Sequence, residues 1–256
     1  MTGVPLAYRV DGPPDGPVLV LGSSLGTTGS VWQPQLPALA ATHRVVRYDH
    51  RGHGDSPTPP GPYRIEDLGA DVLALLDRLD LDRVDLAGLS LGGMVAMWLA
   101  ANAPDRVGRL AVLCTSARPG QPEAWRKRAA TVRAAGTGAV ADAVVGRWFT
   151  AGFGRRHPGV VGWARAMLTG TPAEGYAACC DVIATLDVEP LLSRITAPVL
   201  VIAGAGDPVF PMPHAERIVA GIPGSRLAIV DGAHLANVEQ PDIVTELLIG
   251  FHGGGS

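Results

Sequence analysis

Apolar residues fall along this chain in short, nearly unbroken runs separated by Gly and Pro. Six runs of four to five residues stand out: Val18 to Gly22, Arg44 to Tyr48, Val84 to Ala87, Arg109 to Leu113, Val199 to Ala203 and Leu227 to Val230. Runs of this length and composition predict strands buried on both faces, as in a parallel sheet. Between them the period changes. From Glu66 to Leu79, apolar residues recur at Leu68, Val72, Leu75, Leu76 and Leu79, which predicts a helix with one buried stripe. Leu91 to Asn102 is almost uniformly apolar before Pro104, which predicts a buried helix with a fixed stop. Strands alternating with helices in this way predict an α/β fold with a mostly parallel, doubly wound sheet.

One stretch breaks the rhythm. From about Arg118 to Asp187 no run reads as a strand; pieces rich in Arg, Ala and Trp read as helices cut by Gly136, Gly138, Gly154, Pro158, Gly170 and Pro172. An insertion of about 70 residues is too long for a plain loop and predicts a helical cap over one end of the sheet. The expected division is a core of residues 1–117 and 188–252, a cap of 118–187, and a linker or tail at 253–256, whose Gly-Gly-Gly-Ser composition sets it outside the fold.

Composition narrows the function classes. The chain has 256 residues, 47% of them apolar and 18% charged, enough for a sizeable core. Net charge is −3, and all of its basic residues but Lys127 are arginines, so there is no basic field to hold a nucleic acid backbone. No apolar run approaches the roughly 20 residues of a membrane helix, and no basic stretch followed by an apolar one opens the chain, so a cytoplasmic protein is expected. Cys114, Cys179 and Cys180 form no disulfide framework and no metal spacing, and are expected to be reduced and mostly buried. Nothing in the sequence specifies the number of subunits.

Candidate chemistry centres on Gly88-Leu89-Ser90-Leu91-Gly92, which follows one predicted strand and opens a predicted helix. That context gives G-x-S-x-G its meaning: the serine stands at the apex of a sharp turn, and glycines two residues to either side let strand and helix pass closely. A serine hydroxyl needs a base to take its proton, and the base needs an orienting carboxylate. His234 follows the last predicted strand and Asp207 follows the one before it, so Ser90, Asp207 and His234 occur in the chain order of α/β hydrolases. The position after Arg109 to Leu113 holds Cys114-Thr115-Ser116 and no acid.

An oxyanion hole needs two backbone donors. Leu91 N–H, at the helix N-terminus, is the expected first donor, and Leu25 N–H, in the loop Ser23-Ser24-Leu25-Gly26-Thr27-Thr28, the expected second. The densest polar cluster, Asp49-His50-Arg51-Gly52-His53-Gly54-Asp55-Ser56, could suggest metal ligands in Asp49, His50, His53 and Asp55. A structural turn with side chains satisfying backbone is the better reading, and no metal is expected.

Taken together, several segments resemble the 3-oxoadipate enol-lactonase family. They are Ser23 to Thr27 with Trp32, Tyr48-Asp49 through Gly54, Gly88 to Gly93, Arg147-Trp148-Phe149, Gly175-Tyr176 to Cys179-Cys180, Gly204 to Asp207, and Ala233-His234-Leu235 to Glu239-Gln240-Pro241. Where family members often carry Ser-Asn-Ser before Leu-Gly-Thr, this chain has Gly22-Ser23-Ser24, which leaves the backbone donor in place without the Asn side chain. The resemblance implies hydrolysis of 3-oxoadipate enol-lactone to 3-oxoadipate in protocatechuate and catechol breakdown, with no cofactor. It also implies a small-molecule lactone substrate bearing a carboxylate, for which the cap should supply a cation. Arg133 and Arg147 are the candidates, with Trp148 and Trp125 joining them as candidate substrate-binding residues. The triad alone leaves other readings open: a different carboxylic-ester hydrolase, a cofactor-free perhydrolase, or a non-catalytic ligand receptor on the same fold.

Overall fold

The six apolar runs form six neighbouring strands, joined by a seventh that carries no apolar run. In a computed structural model that describes residues 3–253, the strands are β1 (Tyr8–Asp11), β2 (Val18–Gly22), β3 (Arg44–Tyr48), β4 (Val84–Leu89), β5 (Val107–Leu113), β6 (Val199–Gly204) and β7 (Arg226–Val230). Residues 254–256 of the predicted tail lie outside the described residues. The order across the sheet is β1-β3-β2-β4-β5-β6-β7; β2 to β7 run parallel and β1 is antiparallel to β3, with Tyr8 opposite Tyr48. β1 escaped the sequence reading because it is an edge strand of alternating Tyr-Arg-Val-Asp, mostly exposed. β7 is a correction of another kind. At the opposite edge it buries one face only, leaving Ile229 58% exposed, so it is not enclosed on both faces as its apolar run suggested.

Eleven α-helices are described: α1 (Leu36–Leu39), α2 (Ile65–Arg78), α3 (Leu91–Asn102), α4 (Pro122–Ala135), α5 (Ala141–Val145), α6 (Ala151–Arg156), α7 (Pro158–Gly170), α8 (Ala173–Thr185), α9 (Met212–Gly221), α10 (Ala236–Glu239) and α11 (Pro241–His252). α3 is buried nearly all round because it packs on β2, β4 and β5 and also on α2. Helices α4 to α8 fill the chain between β5 and β6. Pro158 opens α7, Gly170 ends it and Pro172 caps α8, but Gly154 lies inside α6 and cuts nothing. No described helix is long and apolar enough to cross a membrane.

Parallel register brings the strand ends together. Gly22 pairs with Gly88, Leu89 with Leu113 and Gly204 with Val230, so the loops leaving β2, β4, β5, β6 and β7 emerge along one edge of the sheet. In an open parallel sheet this carboxyl edge is where ligands bind.

Candidate active site

The backbone at Ser90 is the local consequence of two glycines. Between the end of β4 and the start of α3, Ser90 takes φ 55° and ψ −112°, a conformation that an L-residue holds only under constraint. Its N–H donates to the Leu113 carbonyl at 2.8 Å, and its carbonyl accepts from Thr115 Oγ1 at 2.6 Å. A Cβ on Gly88 would run into the backbone of Gly92, and one on Gly92 into the backbone of Gly22. The turn can therefore close only without side chains at both places.

Three loops bring the predicted triad together. Ser90 Oγ lies 3.0 Å from His234 Nε2, and His234 Nδ1 lies 2.9 Å from Asp207 Oδ2. All three residues are buried. The carboxylate can only accept, so Nδ1 carries the imidazole hydrogen and Nε2 faces the serine hydroxyl as a base. The second oxygen of Asp207 accepts from Val209 N–H at 2.7 Å and from Phe210 N–H at 3.3 Å, which fixes the carboxylate against rotation. The His234 loop is held on both flanks: Ala233 N–H donates to Glu239 at 3.0 Å and Leu235 N–H to the Trp148 carbonyl at 2.9 Å. At the end of β5, Cys114 is buried, and burial with nearby Asp207 pushes its thiol pKa upward, so it is no competing nucleophile.

Leu25 is placed beside Ser90 and His234, and among the described residues its N–H makes no backbone hydrogen bond. Leu91 occupies the first position of α3, where a helix leaves its N–H groups without internal partners. The polar cluster after β3 is committed to structure: Arg51 is ion-paired with Asp71 at 2.6 Å, and others of its side chains bond to backbone. Asp49 accepts from Gly29 N–H at 2.7 Å, Ser56 Oγ donates to the Asp49 carbonyl at 2.7 Å, and His53 Nε2 accepts from Gly26 N–H at 2.9 Å. Burial raises the Asp49 carboxyl pKa. Among the described residues no group of three His, Cys, Asp or Glu side chains is placed to hold a metal.

Over Ser90 and His234 opens a small, narrow pocket walled by Ser24, Leu25 and Val209 from the strand-end loops and, from the segment between β5 and β6, by Trp125, Arg128, Arg147, Trp148 and Tyr176 among others. Three of the four predicted substrate-binding residues are there. Arg133 is the exception and a correction: it is exposed and bonded to Glu174 at 2.9 Å and Asp181 at 2.8 Å, where it ties α4 to α8.

The chain matches the family model described as the alpha/beta hydrolase fold over residues 17–241. It is 43% identical to 3-oxoadipate enol-lactonase 2 of Acinetobacter baylyi, over 93% of this chain and 89% of that one. A crystal structure of the enol-lactonase from Burkholderia xenovorans superposes with a TM-score of 0.96 at 42% identity, covering 97% of this chain and 96% of the other. The chain belongs to the 3-oxoadipate enol-lactonase family of α/β hydrolases. It is a hydrolase of the lactone and ester class. A more distant relative from Variovorax paradoxus, 32% identical over 97% of this chain and 96% of that one, is provisionally named a carbamate hydrolase.

In this family member the cation missed by sequence reasoning is Arg128. Its guanidinium lies 4.4 Å from the centre of the Trp125 ring, one helical turn away. The signal was the stripe Trp125, Arg128, Ala129 and Val132, which places Arg128 on the inward face of α4 and Arg133 off it. Among the described residues neither Arg128 nor Arg147 has a carboxylate partner, and burial together with Arg128 lowers the Arg147 pKa. Arg128 and Arg147 thus set two positive charges on one wall of the pocket.

Proposed function

We propose that this hydrolase opens 3-oxoadipate enol-lactone to 3-oxoadipate through an acyl-enzyme on Ser90, in the breakdown of protocatechuate and catechol. The observation that carries the reading is the continuous chain from Asp207 through His234 to Ser90, ending in a pocket walled by Arg128 and Arg147, which have no carboxylate partner among the described residues. His234 Nε2 takes the hydroxyl proton as Ser90 Oγ attacks the lactone carbonyl, and Asp207 stabilises the imidazolium that results. Leu25 and Leu91 N–H groups hold the oxyanion. Collapse of the tetrahedral intermediate breaks the ring C–O bond; the enol oxygen leaves with the proton from His234 and the enol becomes a ketone, which pulls acylation forward. Water, deprotonated by His234, then frees the second carboxylate. These steps call for protein groups and water and for no cofactor.

In this reading residues 1–117 and 188–252 form the catalytic core, and 118–187 is a cap whose arginines hold the substrate carboxylate beside Trp125 and Trp148. The decisive experiment measures kcat/KM on freshly generated enol-lactone against a neutral aryl ester and a simple carbamate. A preference for the enol-lactone of 100-fold or more, about 2.7 kcal/mol, is expected. Equal rates on the three would overturn the substrate assignment while leaving a serine hydrolase.

A further inference from the structure

Two buried histidines that take no part in the triad hold the loop carrying Leu25. The Ser23 carbonyl accepts from Gly92 N–H at 3.0 Å and lies 3.0 Å from His50 Nε2. Gly26, at φ 76°, donates its N–H to His53 Nε2 at 2.9 Å. The other ring nitrogen of His53, Nδ1, lies 3.2 Å from the Arg51 carbonyl. A carbonyl can only accept, so Nδ1 carries the hydrogen and Nε2 offers the bare lone pair that the Gly26 N–H requires. Burial lowers the pKa of His53 to about 4, which keeps the ring in this neutral form near neutral pH.

We propose that His53 is a positioning residue of the oxyanion hole, fixing the Leu25–Gly26 peptide through the Gly26 N–H so that the Leu25 N–H points at the developing negative charge. The inference rests on the serine mechanism above. Gly26 is buried, with Leu168 and Tyr176 close against its α-carbon, and its N–H bond to His53 is buried with it. Without an acceptor, that peptide turns to find another partner, and because Leu25 Cα joins it to the Ser24–Leu25 peptide, the turn pulls the neighbouring plane and its Leu25 N–H out of line. Substrate does not need that donor in order to bind, whereas the transition state does.

Two substitutions at one position separate positioning from simple filling of space. In His53→Gln an amide oxygen can stand where Nε2 stands and accept from Gly26; His53→Leu fills the volume and offers no acceptor. On the enol-lactone, kcat of the Leu variant is expected to fall about 10²-fold or more, the usual loss for one oxyanion donor. KM and the calorimetric affinity for 3-oxoadipate should stay within about threefold, and Gln should restore kcat to within about tenfold of the parent. Should His53→Leu not fold, His53→Asn decides, since its shorter amide cannot span to Gly26 and the same kcat loss is expected. Parent-like kcat in Leu or Asn, a loss confined to KM and product affinity, or a Gln variant no better than Leu would overturn the proposal. Ser90→Ala in the same assay keeps the two ideas apart: if it is dead while the His53 variants keep full kcat, only the positioning role falls, and if it is active the serine mechanism falls with it.

Discussion

Ser90 carries its hydroxyl into the cavity from a turn whose shape is set by its neighbours, so removing that oxygen should leave the turn intact. Ser90→Ala is expected to lose roughly 10⁴-fold in kcat with an unchanged melting temperature. Asp207→Asn should lose at least about 10²-fold, because an amide holds the imidazole in the wrong tautomer. Arg128→Ala should cost about 1.5 to 3 kcal/mol in kcat/KM for the anionic lactone, the size of a hydrogen bond to a charged group, and much less for a neutral ester. Arg133→Ala should leave that preference unchanged and lower the melting temperature, since its partners are Glu174 and Asp181. The triad could be read from sequence because each member sits at the end of a strand-like run, where parallel register gathers loops. Among the arginines of α4 only the stripe of Trp125, Arg128, Ala129 and Val132 marks Arg128 as inward, and that stripe does not say what the face will meet, because the facing wall exists only once the helices between β5 and β6 have folded together.

Elements were legible to the extent that both faces are buried. β2 and β3 match their apolar runs residue for residue, and so does α3, whereas the exposed β1 has no hydrophobic signature and the half-exposed β7 has one that overstates its burial. Contacts between elements leave even less trace. α8 rests on the loop after β3 through Gly175 and Gly52, whose backbones meet so closely that a Cβ on either would strike the other. Two isolated glycines about 120 residues apart reveal nothing of this in sequence. Gly175→Ala must push α8 away, at a cost of about 1 to 3 kcal/mol for an overpacked site, and Tyr176, the next residue, lines the cavity. A raised KM for the lactone together with a lower melting temperature is therefore expected. Gly170→Ala, at the end of α7 with open space around it, is the control and should change neither. If both variants behave alike, the seat of α8 is not where its backbone meets Gly52.

Across the whole molecule the buried histidines set how stability responds to acid. Burial lowers His53 to about 4 and His50 to about 3, and it also lowers His43 and His214, all from an ordinary value of 6.5. As pH falls below 6.5 the unfolded chain takes up protons on these rings that the folded chain refuses, so unfolding gains and stability declines. Each fully refused proton contributes up to about 1.4 kcal/mol per pH unit. His53 stops contributing further loss near pH 4, where the folded ring itself protonates, and His50 near pH 3. Asp49 acts in the opposite sense at the acid end, because its raised pKa lets the folded carboxyl keep a proton that the unfolded one has released. Denaturant midpoints should accordingly fall from pH 7 to pH 5, and unfolding at pH 5 should take up at least about 1.5 protons. His53→Gln removes one refusing ring and should lower that uptake by close to one proton while leaving the midpoint at pH 7 to be set by packing alone. A midpoint independent of pH between 7 and 5 would mean that His50 and His53 titrate as freely in the folded protein as in the unfolded chain, against their burial and against the bonds they make to Ser23, Arg51 and Gly26.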